Sequence, residues 1–422
     1  MNTRTRKEFS FAVVLALVGS LLPGIVSASS GYVSGRLMFF NNQGNYCEND
    51  GRDCSGARYP ASQYRVNRAV RDAKVYVHRT SDNAIIGQGV SDSSGFFTVY
   101  WYSPGNDNVS GNVIWRGEHK DGRFALKTSS GGKWTLWSYP RTLANGATTN
   151  FGSLVWGSSA LPHSLANLYD GAERMWRDAL RYSNRMRSRF TNVQIRAFNS
   201  TACPTSCAYG ASKRIIIDSA NSAYMPQSRV MHEMGHIADY VSKPRRVYVN
   251  YTRDGTNTWS MQTPEYASAS FTEGLATFYG DTALYWSRNS EPLSCLSTGA
   301  CLRLSQNNVE SSSGRRSSCS SGEERWALTV DRYLRDVYDT TNEPFDSNSE
   351  PFYRFFETIA RFGDGYGNRG KNEPYKSSLF GLIITVDDKD GRSIRDFRAH
   401  MEGLTGRSTY GNYSRNCYPA GD

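Results

Sequence analysis

The stretch His232-Glu233-Met234-Gly235-His236 decides the fold class of the second half of this chain. A helix is predicted to begin after Pro226 and to carry it. Residues i and i+4 lie on the same face of an α-helix, so both imidazoles can reach one metal ion. Glu233 lies beside the first histidine, where it can take a proton from a metal-bound water without binding the metal. We therefore predict a site for one Zn²⁺ per chain, with Glu233 as its catalytic base.

The third zinc ligand separates two classes of zinc peptidase. Metzincins place a His or Asp six residues after the second histidine, where this chain has Ser242, which is not a credible ligand. Gluzincins take a glutamate from a following helix, and Phe271-Thr272-Glu273-Gly274-Leu275-Ala276 resembles that helix. The resemblance implies Glu273 as the third ligand, 37 residues after His236. Glu265 is the alternative, and the fourth position stays open for water.

The chain departs from the gluzincin pattern in the groups around the ligands. The thermolysin-like subgroup orients a histidine with an Asp four residues after the glutamate ligand, and here that residue is Thr277. We expect the orienting carboxylate to come from elsewhere, with Asp239 and Asp281 as candidates. The sequence also leaves undecided which side chain stabilises the oxyanion of the tetrahedral intermediate, and the candidates are Tyr266, Tyr338 and His400.

The elements before and after the metal helix follow the order of a zincin-like α+β domain. Apolar residues from Ser164 to Met186 recur every three or four positions and predict one long helix. Residues 193–198 and 214–218 predict strands. The second strand is either the edge that binds an extended peptide or a buried, isoleucine-rich strand. Residues 324–339 and 392–397 resemble the helical C-terminal part of secreted bacterial gluzincin-like proteins.

The region before residue 157 predicts an all-β sandwich. Runs of β-branched and aromatic residues such as Phe97-Thr98-Val99-Tyr100-Trp101 alternate with turn clusters such as Asp92-Ser93-Ser94-Gly95. Residues 71–77 and 89–99 resemble the transthyretin-like or carboxypeptidase-regulatory-like family, which implies an accessory domain without chemistry of its own. The chain is therefore expected to be multidomain, with a sandwich at 29–157 and a catalytic domain at 158–422 that ends in a largely helical part.

The first 28 residues predict a cleaved signal peptide. Arg4, Arg6 and Lys7 precede an apolar stretch, and small residues around Ala28 suit cleavage after it. We expect a secreted or periplasmic protein with no membrane span after signal removal. The alternative is an uncleaved anchor, which the short and interrupted apolar stretch disfavours.

Eight cysteines in an exported protein predict disulfides. The pairing that we expect joins neighbours, which gives Cys47 with Cys54, Cys203 with Cys207, Cys295 with Cys301, and Cys319 with Cys417. A zinc site at Cys203 and Cys207 is the alternative, although oxidised cysteines cannot bind zinc as thiolates.

The formal net charge of +10 is scattered along the chain and not gathered into a basic stripe, so we expect no nucleic-acid partner. The predicted partner is a polypeptide substrate, and the oligomeric state is open. Two other functions are possible from the sequence. One is a non-enzymatic adhesion or carbohydrate-binding protein on a zincin scaffold, and the other is a zinc hydrolase of non-peptide substrates.

Overall fold

A computed structural model describes residues 28–41, 66–105, 109–156, 160–197, 206–217, 227–242, 267–285 and 394–407. It also describes a few separate positions between residues 330 and 384. The predicted signal segment before residue 28 lies outside the described residues.

The described strands are concentrated before residue 160, and the longer helices follow them. The strands are β1 Ala28–Asn41, β2 Val66–Ala69, β3 Ala73–Arg79, β4 Ile85–Val90, β5 Phe96–Pro104, β6 Val109–His119, β7 Phe124–Lys127, β8 Leu136–Trp137, β9 Arg141–Leu143, β10 Thr148–Trp156, β11 Val193–Ala197, β12 Ser206–Tyr209, β13 Arg214–Ile217, β14 Tyr375–Lys376 and β15 Ile383–Ile384. The helices are α1 Ala160–Arg174, α2 Asn184–Arg189, α3 Gln227–Ser242, α4 Ala267–Tyr285 and α5 Ile394–Thr405.

The N-terminal sheet forms because its strands alternate between core and solvent. In β5 the residues from Phe97 to Ser103 are alternately buried and exposed, as a half-buried strand requires. β1 pairs antiparallel with β5 and parallel with β10, which gives the order β10-β1-β5-β4-β3-β6. The inward side chains, among them Val33, Val75 and Trp101, join one apolar core. The prediction of a β-rich N-terminal region is therefore confirmed.

The sheet does not stop at the predicted domain boundary. β7 pairs with Glu118 of β6 on one side and runs parallel to β11 on the other, and β13 and β12 follow in the order β7-β11-β13-β12. Backbone hydrogen bonds thus connect strands on both sides of residue 157. The division into two domains remains a prediction.

The helix predicted from Ser164 to Met186 is interrupted. α1 ends at Arg174, a π-helical turn covers Met175–Ala179, a 3-10 turn covers Leu180–Tyr182, and α2 begins at Asn184. The predicted apolar positions are buried except Tyr182, which is 45% exposed. A π turn contains one residue more than an α-helical turn. The residues after it are therefore rotated about the helix axis, and Tyr182 points toward solvent instead of the core.

Helix α1 joins the sheet to the helix that carries His232 and His236. The Tyr169 hydroxyl lies 3.1 Å from the carbonyl oxygen of Arg71 and 3.0 Å from that of Asp72, and it donates to both. On its other side, Gly171 allows a close approach to α3, since a Cβ there would lie 2.8 Å from a methyl group of Val230. α1 therefore fixes α3 relative to the sheet.

Helix α4 is buried on every side from Ala269 to Gly280, as expected of a helix in the centre of a domain. It packs against α3, in which Met231, Met234 and Ile237 are also buried. Within the predicted helix 324–339 the described residues are helical and buried: Val330, Asp331, Tyr333, Leu334 and Val337. Within the described part of the chain, no helix combines the length and the apolar character that a membrane crossing needs.

Candidate metal centre

Helix α3 presents His232 and His236 to the same point. Their Nε2 atoms are 3.1 Å apart, and the two rings are perpendicular. One helical turn separates the residues, so the local geometry of the helix alone brings them together. The opposite side of α3 carries Met231 and Met234 into the core, which fixes the rotation of the helix.

Helix α4 brings Glu273 to both histidines. Its Oε2 atom is 3.2 Å from Nε2 of His232 and 3.3 Å from Nε2 of His236. These three residues form a group that could hold a metal ion. Tetrahedral zinc with bonds of about 2.0–2.1 Å separates its ligand atoms by roughly 3.3 Å. The donor set therefore fits zinc in both the kind and the spacing of its atoms.

Two glycines allow this convergence. A Cβ on Gly235 would lie 2.8 Å from Cα of Ala276, and a Cβ on Gly280 would lie 3.2 Å from the backbone nitrogen of His232. Carbon atoms normally pack at about 3.5 to 4.0 Å, so a side chain at Gly235 would push the helices apart. Their close approach places Glu273 within reach of the imidazoles.

The charges of the three groups are strongly coupled. Burial alone would lower the pKa of His236, but the Glu273 carboxylate outweighs it and raises that pKa to about 9. Burial alone would raise the pKa of Glu273, but His236 and His232 hold it well below its usual range. The pocket thus keeps a buried carboxylate ionised, which is the form that binds a cation.

Thr277 contacts His232, which adds a candidate for the orienting group that the sequence analysis did not name. Its Oγ1 atom lies 3.4 Å from Nδ1 of His232. With a metal ion on Nε2, the ring proton of His232 would lie on Nδ1, from where it could be donated to the Thr277 hydroxyl. We expected the orienting group elsewhere because a hydroxyl replaces the family's carboxylate. The signal was present, because Thr277 lies four residues after Glu273 on the same face of the helix.

Ser206 holds the predicted base, and sequence reasoning missed it. Its hydroxyl donates to Oε1 of Glu233 at 2.7 Å, and Glu233 itself is 4% exposed. The next residue, Cys207, is disulfide-bonded, and every other cysteine lies outside the described residues. Cys207 is therefore not a thiolate ligand, and its pairing remains a prediction. No local pattern marks Ser206, because the contact joins residues that are far apart in the chain.

Of the described strands, β12 and not β13 ends the sheet next to this centre. β13 pairs with β11 on one side and with β12 on the other, and Ile215, Ile216 and Ile217 are buried. Of the two alternatives left open for this strand, a peptide-binding edge and a buried strand, the described residues 214–217 form the buried strand. The antiparallel β12, which contains Ser206, occupies the edge position instead.

Of the other residues predicted to belong to the site, the structure describes the side chain of Asp239 alone. Asp239 is buried, and its charge contributes to the raised pKa of His236. Asp281 lies on α4 and His400 on α5, but their side chains are not among those described. Tyr266, Tyr338 and the alternative ligand Glu265 also lie outside the described residues. Their roles remain predictions.

Comparison with known proteins does not identify this chain. No family model matches it, and no curated protein matches it. One solved structure with a local likeness is a 9R-lipoxygenase from Cyanothece, aligned over 35% of this chain and 23% of the lipoxygenase. The identity is 12% and the TM-score is 0.18, which is too low to bear on fold or function. The function must therefore be inferred from the site itself.

Proposed function

We propose that this protein is a zinc-dependent endopeptidase of the gluzincin type. The observation that carries the proposal is the convergence of His232, His236 and Glu273 within one ion's reach. Glu233 follows His232 in the chain, and its charge contributes to the raised pKa of His236. A two-histidine, one-glutamate set leaves a fourth zinc position for water. We further infer a zincin-like arrangement of α3, α4 and the β11-β13-β12 part of the sheet, with a transthyretin-like sandwich as the accessory region.

Each residue has a defined task in this proposal. His232, His236 and Glu273 hold the ion, and Thr277 fixes the ring of His232. Zinc held by these residues would supply a water of lowered pKa and would polarise the scissile carbonyl. Glu233 takes the proton from the attacking water and afterwards gives it to the leaving amine. The Ser206 hydroxyl fixes one oxygen of Glu233, which leaves the other free to handle the proton.

The edge strand supports a polypeptide substrate. A strand at the end of a sheet has backbone groups on its outer side that can pair with an extended peptide. Ser206 belongs to β12 and touches Glu233, so a peptide paired along β12 would pass beside the catalytic carboxylate. Small esters and amides have no run of backbone groups to use this edge.

Replacement of Glu233 by glutamine tests the proposal. Glu233→Gln keeps the shape and the Ser206 contact but removes the basic carboxylate. Cleavage of a denatured protein should fall by about 10² to 10⁴, because general acid–base assistance is worth that much. Zinc content and melting temperature should stay close to those of wild type. Glu402→Gln is the matched control, because Glu402 pairs with Arg398 on α5 and does not belong to the metal group, and it should cleave normally.

Two results would contradict the proposal. One is wild-type protein, with zinc bound, that cleaves no protein substrate. The other is a Glu233→Gln variant that cleaves as fast as wild type. The ligand set is tested separately, since Glu273→Ala should lose zinc while Glu265→Ala keeps it. The reverse result would exchange the two assignments.

A further inference from the structure

The outer face of strands β10, β1, β5 and β4 carries aromatic rings where a solvated sheet normally carries polar side chains. The even-numbered residues of β5 point outward, away from the core. Among the outward side chains, Tyr32, Phe96, Tyr100 and Tyr102 are 49%, 54%, 53% and 52% exposed. We call these four residues the aromatic face.

The register of β1 against β5 makes the aromatic face continuous. Tyr32 lies directly opposite Tyr100, and their ring centres are 5.5 Å apart. Phe96 lies opposite Arg36, whose guanidinium group is 4.8 Å from the ring centre. A strand rises about 3.4 Å per residue, so the row from Phe96 to Tyr102 is roughly 20 Å long. Isolated exposed rings are common on proteins, but a paired row of this length is not.

Uncharged hydrogen-bonding groups alternate with the rings. Ser30 lies opposite Tyr102, and Ser34 lies opposite Thr98, so hydroxyl groups flank the Tyr32–Tyr100 pair on both sides. Gln88 is exposed on the neighbouring strand β4. Hydroxyl and amide groups both donate and accept hydrogen bonds. The face therefore offers flat apolar surfaces bordered by groups that suit a ligand rich in hydroxyls.

The charge of the aromatic face argues against charged partners. Among the described outward side chains of these four strands, Arg36 is the charged one, and its Nε atom already donates to the carbonyl oxygen of Ser94. The chain as a whole carries +10. A polyanion or an acidic membrane binds to a cluster of basic side chains, and the single Arg36 does not form such a cluster. A protein partner would have to bury the hydroxyls between the rings, and a buried hydroxyl that lacks a hydrogen-bond partner costs free energy.

We infer that the aromatic face binds a neutral polysaccharide in an extended conformation. A sugar ring presents C–H groups on its flat side, which stack on an aromatic ring, and hydroxyls at its edge, which meet Ser30, Ser34 and Thr98. The rings of Tyr32 and Tyr100 form the centre of the site. Binding needs neither the metal centre nor Glu233, so this inference does not depend on the proposed peptidase activity.

The test is retention of the full-length protein on insoluble cellulose and chitin and on immobilised neutral xylan. Wild-type protein should be retained on at least one of them, and about 0.5 M NaCl or a chelator should not release it, because no ion pair or metal is involved. Tyr32→Ala and Tyr100→Ala should each weaken retention about tenfold. Tyr139→Ala is the matched control, since Tyr139 is 91% exposed and belongs to none of these four strands.

If an alanine variant melts at a lower temperature than wild type, Tyr32→Thr or Tyr100→Thr is used in its place. Threonine also removes the ring but has a high β propensity. Loss of retention in a fully folded variant supports the inference. It is overturned if wild-type protein binds none of the three polysaccharides, or binds only anionic polygalacturonate or lipid vesicles. It is also overturned if Tyr139→Ala weakens retention as much as Tyr100→Ala. Glu233→Gln should bind like wild type, which separates this site from the peptidase proposal.

Discussion

Replacing Gly235 by alanine tests whether the close approach of α3 and α4 builds the metal centre. A Cβ there would lie 2.8 Å from Cα and 3.1 Å from the carbonyl oxygen of Ala276. Both contacted atoms belong to the backbone, so no rotamer change relieves the contact. Because carbon atoms pack at about 3.5 to 4.0 Å, the helices must separate locally by roughly 0.7 to 1.2 Å.

That separation is larger than the metal centre tolerates. Glu273 lies one helical turn before Ala276 and moves with it, whereas His232 and His236 stay with α3. Metal–donor distances vary by only about 0.2 Å around their ideal values. We therefore expect zinc affinity to fall by at least about tenfold. Overpacking costs about 1 to 3 kcal/mol of folding free energy, and the better helix propensity of alanine returns about 1 kcal/mol.

Chelator competition measures zinc affinity, and thermal unfolding of the metal-free protein measures the packing cost. Gly280→Ala should reduce zinc affinity less than Gly235→Ala. Its Cβ would lie 3.2 Å from the backbone nitrogen of His232, so the helices need a smaller shift. Gly132→Ala, whose Cβ would meet only the side chain of Thr128, is the remote control. Unchanged zinc affinity in Gly235→Ala, or a larger loss in Gly280→Ala, would refute the reasoning.

Three further predictions follow from the buried groups. Thr277→Val removes the hydroxyl that meets His232, so zinc affinity in chelator competition should fall about 10- to 100-fold, and an unchanged value contradicts its orienting role. Burial raises the pKa of Glu173 from 4.5 to about 8 although Arg177 opposes the shift. The native state then keeps a proton that the unfolded chain loses, so this group lowers stability as pH rises from about 5 to 8. In urea titrations, Glu173→Gln should gain stability over wild type across that range, and a constant difference contradicts the assignment. Since the pKa of His236 is about 9, zinc binding at pH 7 should release about one proton, which calorimetry in two buffers of different ionisation enthalpy detects.

Local sequence was sufficient for the features that depend on neighbouring residues. The pair His232 and His236 shares one face of α3 because one helical turn separates them, whatever the rest of the chain does. The apolar period of α1 likewise predicted which of its side chains are buried. Each of these is a property of a repeating backbone geometry, and a sequence displays such periods directly.

The tertiary structure decided everything that joins distant segments. Ser206 reaches Glu233 across 27 positions, and Thr277 reaches His232 across 45. Strand order is equally non-local, since an isoleucine-rich strand such as β13 looks the same in a sequence whether it is central or at an edge. Register decides the aromatic face, because only pairing places Tyr32 opposite Tyr100. Such contacts depend on how packed helices and paired strands align, and no local period of the sequence encodes that alignment.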